Sequence, residues 1–271
     1  MFGLRIILLG LFVLGAASTR SQPAGASCSA LGLALPDGQN AWQSMHFPQG
    51  SFNARQGYQL GMAFESHLQM PFGRMRQLGF HTLKGPFQWA AYASFYGNAL
   101  YGWQQYQWQS GVNMGKWRLG GGLWTRRLQL AEMQHWHLNM QLGASGRIHN
   151  RWNWHLAFEH LRQSSKESRI ELGLPAATAR LLLEHRAAES VRLWLMYQQQ
   201  LQWRADFGLG LQWQIHPRMQ LDLAIAPPYR RYSVGLVVQH QNFRLTLQAR
   251  HQALPGLWWG NQLQWSAPAP P

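Results

Sequence analysis

From residue 57 onward, apolar and polar positions alternate with a period of two. In residues 203–213, Trp203, Ala205, Phe207, Leu209, Leu211 and Trp213 are apolar. The residues between them, Arg204, Asp206, Gly208, Gly210 and Gln212, are charged, polar or lack a side chain. Successive side chains of a strand point to opposite faces, so such a segment has one apolar and one wet side. The pattern recurs in segments of about ten residues, the length of a tilted strand that crosses a bilayer. It predicts an all-β fold, a transmembrane antiparallel β-barrel.

About fourteen such segments can be counted, an even number as expected for a single-chain barrel. Their apolar positions fall within 58–64, 78–80, 87–95, 106–114, 117–123, 136–144 and 152–158 in the first half. In the second half they fall within 179–185, 191–197, 203–213, 221–225, 232–238, 243–249 and 257–265. Residues 179–185 make the weakest case, with Leu181, Leu182 and Leu183 in a row. Short polar joints at Asn113–Lys116, Arg147–Arg151 and His216–Arg218 read as hairpin turns. The connection from Arg162 to Ala177 reads as an external loop. The break in parity at Arg127-Leu128 predicts a bulge or a strand end.

Composition agrees with this class. The chain carries 15 Trp, 8 Tyr and 12 Phe, and Trp and Tyr suit the membrane–water interface. The hydrophobic fraction of 46% and mean hydropathy of −0.30 are ordinary, as expected where a lipid face and a wet lumen cancel. No run of about 18 apolar residues follows the N-terminus, so no spanning helix is expected. Residues 1–21 read as a signal peptide: basic Arg5, an apolar stretch from Ile6 to Gly15, then cleavage after Ser18 or Ser21. Residues 22–56 form an N-terminal periplasmic or plug segment, 57–266 the barrel and 267–271 a tail. Cys28 is the single cysteine, which excludes an internal disulfide. Gly25-Ala26-Ser27-Cys28 departs from a lipid-anchor pattern, because Gly25 replaces a branched apolar residue.

Charge bears on the wet face. Lys plus Arg is 24 and Asp plus Glu is 10, a net +14. The lumen-facing candidates on the polar parity are Arg118, Arg126, Arg147, Arg192, Arg204, Arg244 and Arg250, with His135, His137 and His155. A charge at the lipid midplane costs about 2–4 kcal/mol, which favours the lumen or the interface. Two readings stay open. A lumen rich in Arg and poor in acid would favour anions; alternatively, Arg and Gln fill and hydrogen-bond a plugged interior. The basic residues are scattered along strands with no recognised motif, so nucleic acid is not an expected partner.

Catalytic chemistry is thinly represented. His135 and His137 share a face, and with His155 and Glu132 or Glu159 could hold a metal, but they are read as polar lumen histidines. Ser145 would need His135 or His137 beside it to act as a nucleophile. No Gly-x-Ser-x-Gly, Walker or Rossmann pattern is present. The expectation is a non-enzyme without cofactor or metal.

Residues 96–130 carry Tyr96-Gly97-x-x-Leu100-Tyr101, Tyr106, Gly111 to Lys116-x-x-x-Gly120 and Trp124. This pattern resembles the PorV/PorQ-type, FadL-like outer-membrane proteins of Bacteroidetes. The resemblance implies a barrel of about fourteen strands behind a short plug-like Asp…Ala…Asn-Pro-Ala element. Asp37, Ala41 and Pro48 match that element by position; Phe47 and Gln49 replace its Asn and second Ala. It also implies passage of hydrophobic compounds or support of type IX secretion, with a secretion component or exported protein as partner. Outer-membrane lipid is expected around the barrel. Gly260, Leu263 and Trp265 are similar to the last-strand signal read by barrel-assembly machinery. The alternative is a secreted soluble β-sandwich binding protein.

Overall fold

The computed structural model describes residues 41–42, 45–50, 56–67, 70–97, 101–130, 133–159, 177–200, 205–227, 230–252 and 256–268. The expectations for residues 1–40, including Cys28 and Asp37, and those for Glu132, Arg204 and the 162–176 connection, lie outside the described residues. The strands are β1 (Gly57–His67), β2 (Met70–Lys84), β3 (Phe87–Gly97), β4 (Tyr101–Met114), β5 (Trp117–Leu130), β6 (Met133–His149) and β7 (Trp152–Glu159). They continue as β8 (Thr178–Ala188), β9 (Val191–Gln200), β10 (Asp206–His216), β11 (Met219–Ala226), β12 (Arg231–His240), β13 (Phe243–Gln252) and β14 (Gly256–Pro268).

All 14 strands pair antiparallel with their sequence neighbours, and β1 pairs with β14 to close the barrel. Closure leaves no open edge of N–H and C=O groups, which hydrocarbon cannot solvate. The alternating parity is realised on the wall. Leu60, Met62, Leu78, Leu123, Leu142 and Leu209 point outward, while Gln77, Gln141, His155 and Gln212 are buried inside. The apolar exterior of a closed 14-strand barrel places the protein in the cell outer membrane.

Residues Gly85–Pro86, Gly115–Lys116, Asn150–Arg151, Glu189–Ser190, Pro217–Arg218 and Gln241–Asn242 join β2–β3, β4–β5, β6–β7, β8–β9, β10–β11 and β12–β13 as tight turns. Gly115 has φ +73° and Gly85 φ +60°, the left-handed geometry that such turns need. Short turns mark the periplasmic end of such barrels, so the opposite end is extracellular. Aromatic side chains ring both edges of the apolar belt. Trp117, Trp152, Trp213 and Trp265 stand near the periplasmic end, and Trp136, Tyr197, Tyr232 and Trp259 near the other.

One expectation is corrected. Residues Arg127-Leu128 form neither a bulge nor a strand end: β5 keeps an unbroken register with both β4 and β6 through Leu130. Leu128 is an apolar residue on the inner face, buried against Met75 and Trp103, and Arg127 faces outward. Parity continues; only the assignment of apolar residues to the lipid face fails there.

Leu142 occupies the centre of the outward row of β6, opposite Gly121 and Phe158. Leu142→Arg should therefore lower folding stability in vesicles by about 2–4 kcal/mol, read from urea titration of heat-modifiable gel mobility.

Candidate functional site: the barrel lumen

Residues 41–42 and 45–50 lie inside the wall. Ala41, Trp42 and Phe47 are fully buried, as nearly are Met45 and Gln49. Two local turns shape the segment: the Met45 N–H bonds to the Trp42 carbonyl (2.9 Å), and the Gly50 N–H to the Phe47 carbonyl (2.8 Å). The remaining backbone groups need partners, because a buried unpaired peptide group costs about as much as a lost hydrogen bond. Wall glutamines serve three of them. The Ala41 N–H donates to Gln264 Oε1 (2.8 Å). Gln107 and Gln109 both donate to the Met45 carbonyl (2.7 and 3.0 Å). Gln88 donates to the Pro48 carbonyl, and Gln49 Nε2 donates to the Ala144 carbonyl of β6 (3.1 Å).

Two aromatic side chains anchor the segment to separate parts of the wall. The Trp42 ring stacks on Tyr92 at 5.8 Å between centroids and packs with Ala63 and Ala90. Phe47 packs in a bed of Ala157, Leu182, Trp194, Met196 and Ala224, edge-on to His155. Each buried ring contributes about 2–3 kcal/mol, against about 1 kcal/mol for a hydrogen bond, so the rings dominate the attachment.

Glycines on the inner face give the segment its room. A Cβ on Gly120 would fall 2.4 Å from backbone atoms of Pro48 and Gln49, and one on Gly79 would fall 2.7 Å from the Trp42 ring. A Cβ on Gly143 would strike the Gln49 side chain. Gly121, one residue along and facing lipid, meets only ordinary contacts, the nearest at 3.5 Å.

Four arginines of the inner wall stand beside carboxylates. Arg180 contacts Glu159, and Arg231 contacts Asp206. Arg192 and His155 each stand 3.9 Å from Glu184, and Arg250 stands 3.9 Å from Glu65. His46 of the inner segment joins the first pair, with Nδ1 2.9 Å from Glu159 Oε1 and 3.2 Å from Arg180 Nη1. Burial holds the His46 ring below the ordinary histidine range, with the Glu159 carboxylate pulling the other way.

The sequence candidates are dispersed through this wall. Arg118, His137, His155, Arg244 and Arg250 are buried on the inner face. Arg126 lies near the extracellular end, bonded to Gln105 Oε1 (2.6 Å) and set over the Trp103 and Trp124 rings. His135 is half-buried there as well. Arg192 is half-buried near the β8–β9 turn, and Arg147 is exposed near the β6–β7 turn. Ser145 pairs in register with His155 rather than His137; His137 is eight residues away along β6, about 26 Å. Among the described residues, no three His, Cys, Asp or Glu side chains come close enough to hold a metal ion. Of the motif residues, Ala41 and Pro48 are both held by the wall. Sequence reasoning did not single out Arg180, Arg231, the wall glutamines or the aromatic anchors. Arg180 shares the parity of Glu184 along β8, which was the available signal for it.

Comparison with known proteins gives fold but no sequence relative. No family model matches the chain, and no curated protein matches it. Solved structures do match. The toluene transporter TbuX of Ralstonia pickettii superposes with TM-score 0.55 at 9% identity, over 78% of this chain and 88% of that one. The toluene transporter TodX of Pseudomonas putida gives 0.52 at 8% identity, over 79% and 89%. The outer membrane protein Omp33 of Acinetobacter baumannii gives 0.53 at 7% identity, over 78% and 98%.

Gly120→Ala should unseat residues 41–50 while Gly121→Ala does not. Amide hydrogen exchange in a peptide spanning residues 41–50 should accelerate by about tenfold or more in the first variant only, a loss of about 1.4 kcal/mol or more of local protection. Equal exchange in the two variants would contradict the packing described. The likeness to TbuX, TodX and Omp33 is one of fold alone.

Proposed function

We propose that this barrel transports a small, largely apolar compound across the outer membrane, with residues 41–50 acting as an internal plug. The observation that carries this reading is the division of the inner wall. At the extracellular end Met75, Trp103 and Leu128 form an apolar cluster against which Tyr96 packs, its ring stacked on Trp103 at 5.9 Å. Below it, residues 41–42 and 45–50 lie within the lumen, and carboxylates stand beside Arg180, Arg192, Arg231 and Arg250, arginines that an anion pore would leave free. Compounds named for the fold neighbours, toluene and monoaromatic hydrocarbons, match an aromatic cluster of this kind in chemistry. The chemistry of this reading is binding and passage, with no reaction step.

A second reading, PorV/PorQ-type support of protein secretion, draws on Ala41 and Pro48, the motif residues held by the wall. It implies a secretion component or exported protein captured with the barrel from membranes. In either case Gly260, Leu263 and Trp265 on β14, the strand that closes the barrel, are the residues barrel-assembly machinery would read.

Two measurements test the transport reading. Toluene should quench tryptophan emission of the purified protein saturably, and Trp103→Leu should weaken that binding by about tenfold. Planar-bilayer conductance should be low for the intact chain and rise about tenfold or more when residues 41–50 are deleted. No saturable toluene response from folded protein would overturn the proposal of an apolar cargo.

A further inference from the structure

The outer wall at the extracellular end of β2–β5 is unlike the rest of the lipid-facing surface. The registers align a continuous outward row across six strands: Phe64, Arg76, Phe95, Gln104, Arg127 and Trp136. One step further toward the extracellular rim, Arg74 lies beside Ser66, and Gln129 pairs with Gly102. One step toward the membrane centre the row is Met62, Leu78, Ala93, Tyr106, Thr125 and Leu138. The arginines therefore stand where the apolar belt ends, at the depth of the outer-leaflet headgroups.

A cavity of about 520 Å³ opens here, lined by Arg74, Arg76, Phe95, Gln104, Arg127 and Gln129 and reaching the Tyr96–Trp103 pair over the bare rim of Gly97 and Gly102. The buried Arg127 Nε has no hydrogen-bond partner among the described residues, and its guanidinium lies 6.0 Å from the Trp136 ring centroid. Five described carboxylates, Glu65, Glu159, Glu184, Asp206 and Asp222, are buried on the inner side. A sixth, Glu189, sits in a periplasmic turn. Among the described residues, no carboxylate therefore stands on the outer face beside these arginines.

We propose that this patch binds the phosphorylated headgroup of an outer-leaflet glycolipid. Arg76 and Arg127 are separated by three strand spacings, about 14 Å, the scale of a disaccharide bearing a phosphate at each end. The guanidinium fork matches phosphate oxygens bidentately. Gln104, between them, offers an amide to the sugar hydroxyls. Phe95 and Tyr106, in edge contact at 6.1 Å, extend below as a surface for an acyl chain. The arginines lie on the lipid side of the wall, and lipid binding there does not require transport, although the cavity also reaches the Tyr96–Trp103 pair.

Native mass spectrometry of the full chain in detergent, with added diphosphoryl lipid A, tests this. Bound lipid is expected on the unaltered protein. Arg76→Gln/Arg127→Gln should lower its affinity by about tenfold or more. Lys116→Gln/Arg218→Gln, which removes the same charge from periplasmic turns, should leave binding unchanged. Phosphate-free lipid A should bind no better to the unaltered protein than to the arginine variant. Heat-modifiable gel mobility verifies that each variant is folded. Equal binding of the two lipids, equal losses in both double variants, or displacement by millimolar inorganic phosphate would overturn the assignment.

Discussion

Everything inside this molecule depends on satisfying peptide groups where neither bulk water nor lipid can do it. The wall meets that constraint by closure, with β1 bonded to β14 from Gly57 to His67. The inner segment brings peptide groups of its own and cannot join the ladder. Glutamines on the inner face serve it instead, because one amide offers both a donor and an acceptor without charge. Gln264 accepts from Ala41, while Gln88, Gln107 and Gln109 donate to Pro48 and Met45. Part of the glutamine on the wet parity thus serves backbone inside the lumen, while Gln77, Gln198, Gln212 and Gln248 bond other wall side chains.

The same constraint governs charge. A buried ion that lacks a partner costs several kcal/mol, and Arg180, Arg192, Arg231 and Arg250 each stand beside a carboxylate. The chain has only 10 acidic residues, yet Glu65, Glu159, Glu184, Asp206 and Asp222 are all buried on the inner wall. A net charge of +14 describes the whole molecule; the lumen itself is closer to balance. The unbalanced arginines Arg74 and Arg76 are on the outside, where composition gives no hint of them.

The wall was legible in the sequence because a strand's period of two survives any detail of packing. Leu60, Leu142 and Leu209 alternate with polar neighbours wherever the strand begins or ends. Leu128 shows the limit. An apolar residue on the wet parity reads locally as a bulge, whereas it belongs to an inner cluster with Met75 and Trp103. Leu182, Trp194 and Met196 are illegible for the same reason: their partner Phe47 lies more than a hundred residues away in sequence. Gly120 and Gly121 are identical letters with opposite roles, and only the location of Pro48 and Gln49 separates them. Matching Ala41 and Pro48 to a plug-like element could not tell which wall residues bond them, Gln264 and Gln88.

The inner segment acts as a strut between two walls. Trp42 is seated against β1–β3, and Phe47 against β7–β11. Its two kinds of attachment respond differently to displacement. Apolar burial is non-directional and survives a shift of an ångström or so, whereas hydrogen bonds weaken steeply once the angle falls toward ~120°. A small rotation about the aromatic anchors would therefore give up the glutamine bonds first, at about 1 kcal/mol each, and keep the ~2–3 kcal/mol of each ring. Water entering beside the segment would replace those lost bonds and lower the cost further. Rotation with both rings seated is consequently a cheaper displacement than withdrawal of the segment, and it must turn away from Gly120 and Gly143, where the segment already lies tight against the wall.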